Sequence, residues 1–478
     1  MADWFAADTW FGNLIDIGND LLWTYILIIF LLGLGLYLTV RTNFVQFRLF
    51  PTMVRELFKG TDRTAFKEKK GTTPFQAFAI STAARVGTGN LAGVAIAISV
   101  GGPGAIFWMW IVALIGAATG FIESTLAQIY KVRDKNGFRG GPAYYMQKGL
   151  NSRVMGLIFA VLIVLCFGLI FNGVQTHTIS DAFVGAFEIP AIAIGLVIAG
   201  IMAVIIFGGV RRIAVVAEVI VPIFAVTYVI GAIIITIINI EQVPAIFSMI
   251  FANAFGIEEM VGGGIGAAIM NGVQRGLFSN EAGMGSAPNA AATVYVSHPV
   301  KQGLVQSLGV LVDTIIICSA TAFIILLTDV YTIGDMEGIQ LTQAALAEHV
   351  GEGAAIYVTI AIFFFAFSSL LGNYYYGEVN VEFISEKPIY LLMFRIAFLL
   401  MILVGATADL EIIWAMADLF MGSMALVNLA AVLLLGHVAI KALRHFQNES
   451  RRGLDPTFHR DSIKGLKNID SWDSKHDK

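Results

Sequence analysis

Residues 85–93 combine three glycines with an arginine, a hydroxyl and an amide inside an apolar segment that runs from 74 to 100. The glycine and polar positions are Arg85, Gly87, Thr88, Gly89, Asn90 and Gly93. At about 1.5 Å per residue, the segment is long enough to cross a bilayer as a helix. Backbone that leaves the helix at membrane depth is tolerated only inside protein or beside a water-filled cavity. The stretch therefore predicts a broken helix with a solute and ion site at the break.

A broken helix offers two kinds of free backbone group. The amides that begin its second half can hold a carboxylate, and the carbonyls that end its first half can hold a cation. We expect the amides of Gly87, Thr88 and Gly89 to bind the substrate, and the carbonyls of Ala83 and Val86 to bind the cation. Glycine also lets the backbone approach a ligand closely.

Asn90 adds a side-chain carbonyl that suits Na⁺, so we expect it to bind the cation and to help hold the substrate. The plainer alternative is close helix packing, since Gly89 and Gly93 form a GxxxG pattern. Packing alone does not call for Thr88 and Asn90 beside Arg85. The residues therefore favour a binding site.

A second glycine run occupies residues 262–266, in another apolar segment. An uninterrupted helix is disfavoured there, because each glycine costs about 1 kcal/mol relative to alanine. Two interrupted spans indicate a transporter built from repeats, with its site near the membrane midplane. We expect Gly263 and Gly264 to contribute to the substrate site from this second break.

Polar side chains inside other apolar segments are costly and need a reason. Asp313 is an acid in an otherwise apolar run, and we interpret it as a cation ligand or a partner for an arginine. Asn172 and Gln175 lie three residues apart and would line a cavity that reads a solute side chain; hydrogen bonding between helices is the alternative. Ser368 and Ser369 offer the hydroxyl oxygens that hard cations prefer. Serine can instead bond to the preceding helical turn.

Three charged residues are candidates for a gate. Arg275 and Glu281 lie in a polar, small-residue stretch that follows the second glycine run, and we expect them to pair. An ordinary solvated loop is the alternative. Arg85 is the third gate candidate, with Glu123, Glu281 or Asp313 as its partner.

The composition indicates the elements that position these residues. The chain has 478 residues, of which 57% are hydrophobic and only 13% charged, whereas soluble domains carry about 25% charged residues. The fold class predicted is an all-α polytopic membrane protein with eleven transmembrane helices. The expected spans are 21–40, 74–100, 105–130, 154–183, 189–207, 213–238, 261–278, 304–327, 354–377, 391–406 and 412–437.

Basic residues fall in every second loop of this arrangement, so the positive-inside rule places the N-terminus outside and the C-terminus inside. Spans two to six and seven to eleven then have inverted topology. The expected organisation is an extracellular N-terminus with an extra helix at 1–40, a basic cytoplasmic loop at 41–73, five-helix repeats at 74–240 and 241–440, and a partly disordered cytoplasmic tail at 441–478.

Other classes of protein are less compatible with these residues. A channel would need a continuous polar stripe or a repeated filter loop, and a membrane enzyme would need a nucleophile–base pair or a metal cluster; we find none of these. Cys166 and Cys318 lie in apolar spans and are expected to be packing residues. We expect no cofactor, no metal other than Na⁺ and no nucleic-acid partner.

Several motifs resemble the alanine or glycine:cation symporter family. They are the run from Thr82 to Gly93, Gly101 to Trp110, Gly140–Gly141–Pro142, and the run from Arg275 to Pro288. The resemblance implies sodium-coupled uptake of small neutral amino acids across a prokaryotic plasma membrane, with glutamine taken by some members. It also implies a LeuT-type fold of five plus five helices in inverted repeats, preceded here by one helix.

By this resemblance, the break would hold the substrate carboxylate. Backbone at Ala83, Val86 and Phe365, with Ser368 and Ser369, would form a sodium site. Ser369 would also contact the substrate.

Asn373 stands where we expect tryptophan in many members of the family. A smaller side chain with an amide leaves more room in the substrate site and raises glutamine as a substrate. The expected partners are thus Na⁺, an amino acid and the bilayer, with the protein acting as a monomer. Proton coupling through Asp313 or Glu123 is the closest alternative.

Overall fold

The computed structural model describes residues 9–59, 72–134, 137–207, 210–256, 264–334, 336–351 and 353–473, with only the backbone for 210–221. Long helices dominate this part of the chain. In an apolar environment, a helix satisfies its own backbone hydrogen bonds, which is why apolar segments of this length become helical. Many large apolar side chains on the outer helices remain exposed, as expected for surfaces that face lipid.

The helices and strands follow one another in a simple order. They are α1 (Trp10–Arg41), α2 (Val45–Arg48), α3 (Phe50–Phe58), α4 (Pro74–Arg85), α5 (Gly89–Gly101), α6 (Gly104–Ile129), β1 (Val132–Asp134), β2 (Gly137–Arg139), α7 (Pro142–Gly149), α8 (Arg153–Phe187), α9 (Ala191–Ile206), α10 (Val210–Ile238), α11 (Val243–Ala254), α12 (Gly264–Asn280), α13 (Ala287–Ala291), α14 (Pro299–Leu326), α15 (Gly338–Val350), α16 (Gly353–Ile384), α17 (Pro388–Ala406) and α18 (Leu410–Arg451). The strands β1 and β2 form an antiparallel hairpin.

Every expected span overlaps a helix or a pair of helices. Among the described residues, seven helices are long and apolar enough to cross a membrane, or nine if each of two bent pairs is counted as one span. The class of polytopic helical membrane protein is therefore confirmed. The count of eleven stays a prediction, because α9 and α12 are shorter than the other spans.

The break in the second span is confirmed. Thr73 begins α4 with a reciprocal capping box to Gln76, and Pro74 occupies the first turn. The helix ends at Arg85, Val86 is extended (φ −75°, ψ 91°), and α5 leaves at 51° to α4. Sequence and structure thus agree that the helix is interrupted between Arg85 and Gly89.

The second glycine run is only partly described. Gly264 begins α12 with a φ of +75°, a conformation that favours glycine. Gly263 lies outside the described residues, so the predicted second break is an inference from the sequence and from where α12 begins.

The C-terminal segment differs from expectation. The last helix continues to Arg451, so the expected boundary at 441 falls inside a helix. Beyond it, residues 453–473 pack against one end of the bundle. Phe458 N donates to Ser297 O at 2.8 Å, and Trp472 Nε1 donates to Gln128 O at 3.0 Å. A prediction of partial disorder from charge and polarity is therefore wrong for this part of the tail.

The end of the molecule that carries this segment is called the basic end here. It carries Arg133 and Arg139 of the hairpin, Lys148 of α7 and Lys301 of α14. Two large apolar clusters hold the helices together above it. One surrounds α6, α8 and α18, and the other surrounds α5, α15 and α16. The break between α4 and α5 lies between them.

Candidate functional site

The end of α4 meets α16 around two serine hydroxyls. Ser369 Oγ donates to Ala83 O at 2.9 Å and lies 3.2 Å from Phe365 O and 3.5 Å from Val86 O. Ser368 Oγ donates to Phe365 O at 2.7 Å and lies 3.4 Å from Ala83 O. All five residues are buried. Five of the seven predicted sodium ligands are thus brought together as two hydroxyl and three carbonyl oxygens, the donor type that hard cations prefer.

The backbone amides at the helix break are directed at side-chain oxygens. Gly87 N donates to Asn90 Oδ1 at 2.9 Å, and Thr88 N donates to Gln175 Oε1 at 3.1 Å. Thr88 Oγ1 donates to the same oxygen of Gln175 at 2.7 Å. These N–H groups are therefore free of the helix ladder and directed at acceptors, as a bound carboxylate would require.

Two positions at the break require glycine, because neighbouring helices approach their backbone too closely for a Cβ atom. A Cβ on Gly87 would overlap Ser369 Oγ and lie 2.9 Å from Gln175 Oε1. A Cβ on Gly89 would lie 2.9 Å from the Phe278 ring and 3.1 Å from Ser279 Cα. The backbone of the break thus touches α8, α12 and α16 directly.

Asn90 lies at the centre of a polar cluster behind the break. Its Nδ2 is 2.8 Å from Asp313 Oδ1, 3.0 Å from Ser279 Oγ and 3.3 Å from Cys318 Sγ. Ser279 Oγ donates to Asp313 Oδ2 at 2.6 Å, and Thr314 Oγ1 donates to it at 3.1 Å. We call these five residues the asparagine–aspartate cluster. It brings together two of the predicted cation ligands, Asn90 and Asp313.

Asn172 and Asn373 lie near this site but have few partners. Asn172 Nδ2 donates to Gly168 O at 2.6 Å, and its Oδ1 has no partner among the described residues. Within that same part of the chain, neither amide atom of Asn373 finds one. Both side chains are almost fully buried.

Arg85 is 2% exposed and directs its guanidinium at the backbone of α14, where it abuts Gly309. None of its three nitrogens has an acceptor within hydrogen-bond distance among the described residues. The predicted partners Glu123 and Glu281 bind elsewhere: Glu123 accepts from Asn428 Nδ2 at 2.7 Å, and Glu281 accepts from Ser286 Oγ at 2.6 Å.

The expected pairing of Arg275 with Glu281 is wrong. Arg275 instead forms a buried ion pair with Asp418 of α18, and its guanidinium lies 4.5 Å from the centre of the Trp414 ring. The two partners are 143 residues apart, and nothing local in the sequence connects them. Gly264 is not brought to the site either, because it is exposed and a Cβ there would meet nothing within 4 Å.

Sequence reasoning missed three residues of this region. Ser279 and Cys318 contact Asn90, and Asp418 neutralises Arg275. A usable signal existed for Asp418, since an acid within a long apolar span is costly without a partner.

Comparisons with known proteins show the family of the chain. The sequence model of the sodium:alanine symporter family matches residues 8–460. The chain belongs to the sodium:alanine symporter family. It is a transporter and not an enzyme, as the sequence predicted.

Two relatives illustrate the membership of this chain in the symporter family. It is 53% identical over 460 residues to the probable sodium/glutamine symporter GlnT of Bacillus subtilis, covering 96% of each chain. It is 40% identical over 453 residues to the sodium/alanine symporter AgcS of Methanococcus maripaludis, covering 92% of this chain and 98% of that one.

A solved structure supports the fold alone. A manganese transporter of Eremococcus coleocola aligns with a TM-score of 0.51 at 12% sequence identity, covering 78% of this chain and 87% of that one. The helical membrane-protein fold predicted for this symporter is confirmed at that level, and the five-plus-five inverted repeat stays a prediction.

Proposed function

We propose that this symporter couples the entry of Na⁺ to the uptake of a small neutral amino acid, with alanine, glycine and glutamine as the candidate substrates. The observation that carries the proposal is the convergence of Ser368 and Ser369 hydroxyls with three carbonyl oxygens at the helix break. Na⁺ would bind among these oxygens. The cation would offset the negative charge of a carboxylate bound nearby, which makes each ligand increase the affinity for the other.

The substrate carboxylate would bind the amides of Gly87, Thr88 and Gly89. In the structure, Asn90 Oδ1 and Gln175 Oε1 occupy acceptor positions at two of them. A carboxylate oxygen is a stronger acceptor than an amide oxygen, so the substrate would displace Gln175 from Thr88. Asn172, Ser369 and Asn373 would line the rest of the pocket.

Asn90 and Asp313 would form a second cation site behind the break. Asp313 and Ser279 supply carboxylate and hydroxyl oxygens in one buried cluster. Asn90 presents its Nδ2 to Asp313 and its Oδ1 to Gly87 N, so its amide would rotate to bring the oxygen to the cation. A proton on Asp313 is the alternative to a second cation. The pH dependence of uptake would distinguish the two.

We infer that the two five-helix halves, 74–240 and 241–440, move against each other around this site. The basic end is cytoplasmic in this proposal, which places the N-terminus outside, because Lys and Arg concentrate in loops on the inner side of plasma membranes. Arg85 and Glu281 would act in the gate on that side. The membrane potential supplies about 2.3 kcal/mol per charge per 100 mV to inward movement of Na⁺. The transporting unit is a monomer.

Uptake into proteoliposomes tests the proposal. Labelled alanine and labelled glutamine should accumulate when Na⁺ is higher outside, and accumulation should collapse when the gradient is removed at fixed pH. Accumulation that follows a proton gradient and ignores Na⁺ would reject sodium coupling.

Ser369→Ala gives the residue-level test. It should raise the half-maximal Na⁺ concentration about tenfold, since one hydroxyl ligand and its hydrogen bonds are lost. Ser423→Ala is the matched control, because Ser423 Oγ only bonds back to Leu419 O within α18. Equal Na⁺ dependence in both variants would place the sodium site elsewhere.

A further inference from the structure

Helices α8 and α16 run antiparallel past the break, and three contacts fix their levels. Thr359 Oγ1 lies 3.4 Å from Ala182 O at the end opposite the basic end. Gln175 and Ser369 lie at the level of Gly87, because a Cβ atom on Gly87 would contact both side chains. Closer to the basic end, the Phe167 and Tyr376 rings are 5.4 Å apart.

Asn172 and Asn373 fall on the same level between the last two of these contacts. Asn172 precedes Gln175 by three residues, and Asn373 follows Ser369 by four. Residues at these spacings are neighbours on a helix surface. The two asparagines therefore lie one turn from the residues at the break, on the side of the basic end.

Four polar atoms at this level and one turn further along α16 lack partners among the described residues. They are Asn172 Oδ1, Asn373 Oδ1, Asn373 Nδ2 and the Tyr376 hydroxyl. All three side chains are 1% exposed or less. A buried polar atom without a hydrogen bond costs about 1–3 kcal/mol, so such a group of atoms calls for a bound partner.

We propose that Asn172, Asn373 and Tyr376 form the side-chain compartment of the substrate site, and that this compartment selects a carboxamide, the side-chain group of glutamine. The inference rests on the proposed function. A carboxamide offers two N–H donors and one carbonyl acceptor. The compartment offers the complementary set: acceptors on both asparagines, and donors on Asn373 and Tyr376.

The orientation of Asn172 makes the compartment discriminate against a carboxylate. Its Nδ2 donates to Gly168 O, so its oxygen is the atom left free. Glutamate has the same shape as glutamine but carries only acceptors, which would face this oxygen without a hydrogen atom between them. An apolar side chain of similar length would leave all four atoms unpaired. Both analogues should therefore bind more weakly than glutamine.

Competition and uptake by the full chain in proteoliposomes test this inference. Under a Na⁺ gradient, glutamine should inhibit labelled alanine uptake at a concentration about tenfold lower than glutamate or methionine. Asn373→Leu removes both amide atoms at similar volume. It should raise the KM for labelled glutamine about tenfold and the KM for labelled alanine by a smaller factor.

Two further variants keep the result interpretable. Tyr376→Phe removes only a hydroxyl and should raise the glutamine KM about threefold. Asn239→Leu is the matched control, because Asn239 follows the end of α10 and, among the described residues, its Nδ2 bonds only to Ile235 O of that helix, away from the site. It should leave both KM values unchanged.

Two outcomes would overturn the selection of a carboxamide. They are equal inhibition by glutamine and glutamate, or a loss in Asn373→Leu that affects alanine and glutamine alike. The proposed function fails in a different way: the unaltered protein would then take up neither amino acid in response to Na⁺, and the compartment would fail with it.

Discussion

The asparagine–aspartate cluster and the side-chain compartment are both buried, both polar and only about a helix turn from the break, yet their hydrogen bonding is opposite. In the cluster, Asn90 contacts four groups and Asp313 accepts on both oxygens. In the compartment, Asn373 has no partner among the described residues. The difference separates polar groups whose hydrogen bonds are made within the chain from polar groups that make none within its described part, which the proposal assigns to the substrate.

Burial alone does not make this distinction. A fully hydrogen-bonded polar network rigidifies the structure around it, and losing one member leaves several others unpaired. A buried polar group without hydrogen bonds destabilises the free protein, and a ligand that bonds to it gains binding free energy from removing that penalty. Substitutions in the two regions should consequently affect stability and transport in different proportions.

The largest loss of uptake is expected for a substitution in the backbone of the helix break, next to both regions. Gly87→Ala places a methyl group against Ser369 Oγ and Gln175 Oε1, which disturbs the sodium oxygens and the carboxylate amides together. Uptake should fall at least about a hundredfold, since an overlap of this kind costs several kcal/mol. Gly200→Ala is the control, because a Cβ there meets nothing within 4 Å. Near-normal uptake by Gly87→Ala would mean that the solute binds away from this break.

The comparison itself is tested by two alanine substitutions. Asn90→Ala removes the acceptor of Gly87 N and the donor to Asp313, so we expect the melting temperature in detergent to fall by several degrees and uptake to be lost. Asn373→Ala removes an amide that has no partner in the described structure, so its melting temperature should change far less. Similar losses in the two variants would contradict the separation drawn between the regions.

How far the sequence predicts this site depends on the range of the interaction. The break at residues 86–89 follows from glycine and polar residues within an apolar segment, and the structure places Ser368 and Ser369 against it. The pairing of Arg275 with Asp418 was not predictable in this way, because it depends on how α12 packs against α18.

The side-chain compartment was only half visible in the sequence. Asn172 and Asn373 are recognisable as polar residues in apolar spans. Their lack of partners is a property of the folded chain, since it depends on which groups α8 and α16 bring to the same level. For the same reason, the docked segment 453–473 was missed: its contacts are made by a few aromatic and charged residues, and not by an apolar repeat.

An intermediate loss of uptake is expected when the charge of Asp313 is removed. Asp313→Asn keeps the size of the side chain but removes its negative charge and turns one of its two acceptor oxygens into a donor, so uptake should fall about tenfold or more if a cation binds there. The dependence of uptake on Na⁺ concentration should become less steep. Asp409→Asn is the control, because asparagine also caps the helix that Asp409 begins. Unchanged Na⁺ dependence in Asp313→Asn would assign the cluster to shape alone.

The smallest change in stability is expected at the protein surface, where water replaces a lost hydrogen-bond partner. Asp455 accepts from Lys301 at 2.6 Å and from Lys59 at 3.0 Å, with 57% of its side chain exposed. Partial burial alone would raise the pKa of Asp455, but hydrogen bonds from both lysines outweigh it and hold the pKa below its ordinary value. Because the folded-state pKa is depressed, the contribution to stability is present above the unfolded value of about 3.9 and is lost as pH falls through the folded pKa. Asp455→Asn should therefore lower the melting temperature by at most about 2 °C at pH 7, and the difference should vanish in acid. A loss as large as that of Asn90→Ala would show that exposure does not weaken this contact.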